Sequence, residues 1–324
     1  MKRKLLTTAV TALLATSMLS ACGSSNKITF MDFWKKSVAD SVINTVTEVS
    51  EYDVSFTKGA NDAFSVAYQN GTYKTTFVSE TQGEKIIYRY TTEFSVQVQY
   101  SCDGQKSEWL QDSVATTVSF QSSNNALKPI SSEKHAVNHS PVTISPSSLA
   151  TAYAKHDMTI KTVYDENCEN ATSTITNNAL TKDNVTTQTF EVSHSSYNYL
   201  DNEQLLFAVR CINTDANTSA KFRVYSPFAK TTQKINVSFG SEVNKDFTFS
   251  IGEKSATRNL AYYPVTVQLS AKNNNTGTPK TLWIAKTTDK QNNTYRNAMI
   301  RQEIPLSFNL GTLVFELKST TFAQ

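Results

Sequence analysis

Residues 94–100 read Phe94-Ser95-Val96-Gln97-Val98-Gln99-Tyr100, apolar at 94, 96, 98 and 100 and polar between. Successive side chains of a strand point to opposite faces, so a period of two is that of a half-buried strand. Further on, Val114, Thr116, Val118 and Phe120 repeat the pattern, and Asp103-Gly104 lies among the turn residues between the two runs. Together they predict a long antiparallel hairpin.

The same period recurs towards the C-terminus. Val265, Val267 and Leu269 alternate with polar residues up to the turn signal Asn273-Asn274-Asn275-Thr276-Gly277, and Leu282 and Ile284 lead back out. Asn309-Leu310-Gly311 separates Ile304, Leu306 and Phe308 from Leu313, Phe315 and Leu317. Shorter strands are predicted around Phe222 and Val224, around Ile235, Val237 and Phe239, and around Phe247, Phe249 and Ile251. Two segments depart from the period. Phe30, Trp34, Val38, Val42 and Val46 recur every fourth position with Asp32 placed to cap, which predicts an N-terminal helix. Asn202 to Ile212, capped by Asp201 and striped by Leu205, Leu206, Val209 and Ile212, predicts a central helix laid across a sheet.

The expected fold is therefore mainly β: long antiparallel strands, in a sandwich or a curved half-barrel sheet, with one N-terminal and one central helix. Ser140 to Ala154, with Pro141, Pro146 and several serines, reads as a long surface loop. The division expected is a β-rich region with the N-terminal helix over 28–200 and a helix plus antiparallel strands over 201–324. One continuous domain is the alternative.

The first residues carry an address. Lys2, Arg3 and Lys4 precede an uncharged apolar stretch from Leu5 to Met18, the pattern of a secretory signal, too short for a spanning helix. Leu19-Ser20-Ala21-Cys22 resembles the lipobox of bacterial lipoproteins at all four positions. That resemblance implies removal of residues 1–21, a diacylglyceryl group on the Cys22 sulfur, and an acylated new amino terminus. Two or three acyl chains, at about 0.8 kcal/mol per buried methylene, anchor stably where one does so only marginally. Residues 22–27 would be the tether, and its five residues after Cys22 span at most roughly 17 Å. Localisation follows as the extracytoplasmic face of a membrane. By the family's sorting rule, Gly23 after the cysteine favours the outer membrane where the cell has two.

Composition narrows the partners. The chain has 324 residues, 39% of them hydrophobic, with only 9 Gly and 7 Pro, enough apolar material for a sizeable core. Ser, Thr and Asn supply about a third of it, so neutral hydrogen-bonding groups solvate the surface. The net charge of +3 comes from Lys2, Arg3 and Lys4, and the mature chain is neutral. It therefore lacks a general electrostatic attraction to nucleic acid.

Chemistry is sparsely signalled. Glycine spacings for dinucleotide or phosphate cradles are missing, as are a G-x-S-x-G elbow and an H-E-x-x-H pair. Ser55-Phe56-Thr57-Lys58 and Ser131-Ser132-Glu133-Lys134 match Ser-x-x-Lys, but Lys-Thr-Gly is absent, and Ser55 is expected on a strand. His135 and His139 stand four apart, in what reads as an exposed loop. His156-Asp157 are neighbours that a strand would point to opposite faces, and His194 is isolated. Asp165, Glu166 and Glu169 around Cys168 read as a wet turn rather than a cation loop. Cys102, Cys168 and Cys211 allow one disulfide and a leftover thiol, or none. No catalytic residue, cofactor or metal is assigned, and Cys22 is the one site expected, as the lipid attachment.

The function expected is that of a membrane-anchored binding or envelope-assembly module, for a hydrophobic ligand or an envelope protein. In outline it resembles the lipoprotein-carrier half-barrels of bacterial envelopes, in which an N-terminal helix meets a curved sheet. The alternative is an envelope hydrolase acting on cell-wall glycan or peptide.

Overall fold

The period of two governs most of the described residues. A computed structural model describes residues 28–31, 47–60, 64–123, 126–143, 145–192, 199–269, 279–286 and 295–322. The first half contains β1 (Thr47–Lys58), β2 (Phe64–Gln82), β3 (Lys85–Cys102), β4 (Gln105–Lys106), β5 (Leu110–Ser123) and β6 (Ala126–Pro141). It continues with β7 (Tyr153–Tyr164), β8 (Asn170–Asn177) and β9 (Val185–Glu191). After the helix come β10 (Ser219–Ser226), β11 (Thr231–Phe239), β12 (Val243–Ile251) and β13 (Lys254–Leu269). The last strands are β14 (Lys280–Ala285), β15 (Met299–Pro305) and β16 (Gly311–Phe322).

All sixteen belong to one sheet, whose main path runs β10-β11-β13-β14-β15-β16-β1-β2-β3-β5-β6-β7-β8-β9. The predicted hairpin is present as β3 and β5, with Phe94 opposite Val114 and Tyr90 opposite Val118. The pairing of Val265 with Leu282 likewise bears out the second hairpin, whose turn lies outside the described residues.

The sheet is barrel-like. β12 pairs antiparallel with β13 and parallel with β16 through Ser250–Ser319 and Ile251–Thr320. Since β13, β14, β15 and β16 are consecutive neighbours, those five strands form a hydrogen-bonded ring. At the other end of the path, Tyr199 bridges Arg223 of β10, and the rings of Phe190 in β9 and Tyr225 in β10 stack with centroids 3.6 Å apart. The two terminal strands of the sheet thus approach each other.

Among the described residues there is one helix, not two. It runs from a 3-10 turn at Asn202–Gln204 into α1 (Leu205–Arg210), and the Asp201 carboxylate accepts the Glu203 backbone N–H at 2.8 Å, as a cap should. The N-terminal helix predicted after Asp32 falls on residues 32–46, outside the described residues. Phe30, which the sequence pattern placed in that helix's stripe, is extended and bridges Ile212. The central helix is also more deeply placed than a single stripe implies. Phe207, Ala208, Val209, Arg210, Cys211 and Ile212 are all buried, because the curved sheet wraps this segment on several sides. Phe207 sits against Phe77, Phe120 and Tyr90, at centroid distances of 4.7, 5.1 and 5.4 Å.

A second buried cluster closes one end of the sheet, where Phe64, Val98 and Tyr100 meet Ala152 from the segment between β6 and β7. That segment is the predicted surface loop, shortened at both ends by the strands. One strand was overdrawn: β15 stops at Pro305, and Phe308 and Asn309 take left-handed backbone in a 3-10 turn. Gly311 ends this turn at φ 139, where a Cβ would stand 2.3 Å from the Thr57 carbonyl oxygen, so only glycine fits.

Candidate functional site

Strand alternation places Ser132 and Lys134 of β6 on the same face as their partners Thr162 and Ile160 of β7. Tyr164 follows on that face. The start of the helix brings Asp201, Asn202 and Glu203 over these side chains, and the β10–β11 hairpin adds Tyr225, Ser226, Pro227, Phe228 and Gln233. Between them lies a cavity of about 220 Å³.

The buried carboxylate of Asp201 is its centre. One oxygen accepts the Ser132 hydroxyl at 2.7 Å and the Tyr164 hydroxyl at 2.8 Å, while the other accepts the Glu203 N–H. Burial, then the negative charge of Glu203, raise the Asp201 pKa, against the pull of these donors. Burial and the nearby Asp201 likewise push the Tyr164 phenol well above its ordinary value. Tyr164 and Tyr199 share a hydroxyl contact of 3.3 Å. Lys134 reaches Glu203 at 3.3 Å. Tyr225 is 6% exposed and its hydroxyl has no partner among the described residues. Phe228, at the hairpin tip, is 59% exposed.

The histidines overturn an expectation. His135 and His139 stand on β6, not in an exposed loop. His135 pairs with Asp157 at 3.2 Å, and Asp157, held also by the Asn178 amide, has its pKa lowered by these two hydrogen bonds. His139 is largely buried. Its Nδ1 lies 2.7 Å from Asp112, which also accepts the His139 backbone N–H. Burial raises the Asp112 pKa and the His139 contacts oppose it. The imidazole meets the edge of Tyr153, which stacks on Tyr100, so the pair clasps the end of β6 to β5 and to the start of β7. Residues from neighbouring strands made these pairs, and no local motif could show them. His194 lies outside the described residues.

Asp165 accepts the backbone N–H groups of Glu169 and Asn170, which makes the acidic stretch the wet turn expected. Cys102, Cys168 and Cys211 are free thiols, the first and last buried. Ser131 and Lys134 of the Ser-x-x-Lys match stand three apart on a strand and face opposite sides, and Ser55 is on β1. Among the described residues no group of three His, Cys, Asp or Glu could hold a metal ion, and no helix is long and apolar enough to cross a membrane. Cys22 lies outside the described residues. The sequence singled out Asp201 as a cap alone; Ser132, Tyr164 and Tyr225 carried no signal of their own.

No protein-family model and no curated protein matches the sequence. Among solved structures, the chain is similar to a β-barrel-like protein of a domain of unknown function from Brucella abortus. The two are 12% identical with a TM-score of 0.46, over 86% of this chain and 98% of that one.

Proposed function

We propose that this chain is a lipid-anchored extracytoplasmic binding module, held to its membrane through Cys22 and taking a small polar molecule at the Asp201 cavity. The observation that carries the reading is how the inside of the sheet is used. The space that a carrier would give to a lipid tail holds Phe207 and Val209 of the chain's own helix. The room left beside it is lined by hydroxyls, two carboxylates, a lysine and two amides, with Ile160, Pro227 and Phe228 among them. Its volume is below the roughly 300–1,000 Å³ usual for drug-sized ligands, which suits a single small solute. Thr29 and Phe30 meet the chain at Asn213 and Ile212, at the opposite end of the helix from Asp201.

The test is extraction of whatever co-purifies with the full chain, alongside membrane fractionation of a Cys22→Ser variant. The expected result is a polar compound in the aqueous extract at up to one per chain, and release of the variant from the membrane. A stoichiometric non-covalent lipid, or a variant still sedimenting with membranes, would overturn the proposal.

A further inference from the structure

We infer that the Asp201 cavity is a subsite for one neutral pyranose ring, a sugar residue free or at the end of a glycan. This rests on the binding reading above and adds the ligand's class.

The pairing of the cavity's own charged groups disfavours an ionic ligand. Glu203 is already matched by Lys134 at 3.3 Å. Asp201 is saturated on one oxygen by two hydroxyls. The charged groups that line the cavity thus already have partners, and a charge brought into this space would lose its hydration without gaining a free counterion.

The walls fit a molecule with apolar faces and polar edges. Tyr164, Tyr225, Pro227 and Phe228 supply flat apolar surface. Ser132, Thr162, Asn202 and Gln233 supply donors and acceptors around it. A pyranose has this division, with C–H groups on its faces and hydroxyls round its rim. The buried Tyr225 hydroxyl, which has no partner among the described residues, stands to gain a hydrogen bond that a hydroxyl rim can provide. Phe228, exposed at the mouth, is placed to cover a ring face once the sugar is seated. The cavity, at about 220 Å³, has room for one sugar ring.

The experiment is saturation-transfer NMR and titration calorimetry on the full chain, held in a detergent without a sugar headgroup. The probes are glucose, galactose and N-acetylglucosamine, with inorganic phosphate, glutamate and putrescine as charged comparisons. The expected result is saturation transfer to at least one sugar and to none of the ions, with affinity at least fivefold weaker in Phe228→Ala and Tyr225→Phe. Phe228 is exposed, so its variant folds. Tighter binding of a charged probe at this cavity overturns the sugar assignment and leaves the binding reading standing. A sugar bound with unchanged affinity in both variants sits elsewhere and also overturns the assignment. Binding of no probe of either class overturns both.

Discussion

Glu48 and Arg210, 162 residues apart in sequence, meet at 2.6 Å beneath the curved sheet with side chains only 3% and 6% exposed. Arg210 also donates to the carbonyl oxygens of Arg296 and Asn297, and Arg296 approaches the other Glu48 oxygen at 3.3 Å. Left-handed backbone at Arg296 and Asn297 turns those carbonyls towards the guanidinium. The network ties the helix end to β1 and to the segment before β15.

Removing Arg210 leaves Glu48 with Arg296 alone and takes the guanidinium donors from the buried Arg296 and Asn297 carbonyls. Arg210→Leu is expected to lower stability by about 3–5 kcal/mol. Urea unfolding followed by circular dichroism measures this, and a loss under about 1 kcal/mol would show that the network is not holding the helix.

Asp201 gives the pH dependence a sign. Its folded pKa lies above the ordinary aspartate value of 3.8, so between those two values the folded chain holds a proton that the unfolded chain has released. Stability from this group is full below the window and falls as pH rises through it. Asp112, raised by burial, acts in the same direction. Asp201→Asn keeps an acceptor for the Glu203 N–H and removes one titration. The variant's stability relative to the parent should therefore improve as pH rises above 3.8, read from paired urea midpoints. A difference constant with pH would contradict the buried-carboxyl account.

Phe207 is the ring around which Phe77, Tyr90 and Phe120 close. Truncation to alanine leaves a cavity the surrounding strands cannot collapse into, at an expected cost of about 3–5 kcal/mol. Phe228→Ala, at an exposed tip, should change stability by less than about 0.5 kcal/mol. Equal losses in the two variants would refute the assignment of Phe207 to the core.

The thiols offer a chemical count. In a Cys22→Ser variant denatured without reductant, Cys102, Cys168 and Cys211 should all react with Ellman's reagent. In the native protein the two buried cysteines should be silent and Cys168 slow, because burial raises its pKa to about 11. Fewer than three thiols after denaturation would mean a disulfide has formed.

Much of the architecture was legible because it depends on neighbours in sequence. Alternation from Phe94 to Tyr100 defined β3, and Asp201 before an apolar stripe defined the helix start. The prediction at Phe308 failed because an alternating apolar residue can also sit in a left-handed turn. His139 was assigned to a loop because Asp112, its partner, lies on the adjacent strand 27 residues away. The cavity was not legible at all: Ser132, Tyr164, Asp201 and Tyr225 come from four elements, and only the sheet's curvature brings them together.

The pairing of Tyr52 with Leu317 has a consequence for how the chain can mature. β1 is the first described strand, and β16, one of its two partners, is the last. A chain delivered N-terminus first exposes one unpaired edge of β1 until nearly all of it has arrived, and that edge is open to any passing strand. Ring closure by β12 waits for the same strand. Completion of the fold is thus timed by arrival of the C-terminal residues, and loss of those residues would strand an otherwise finished chain in an adhesive, half-sealed form.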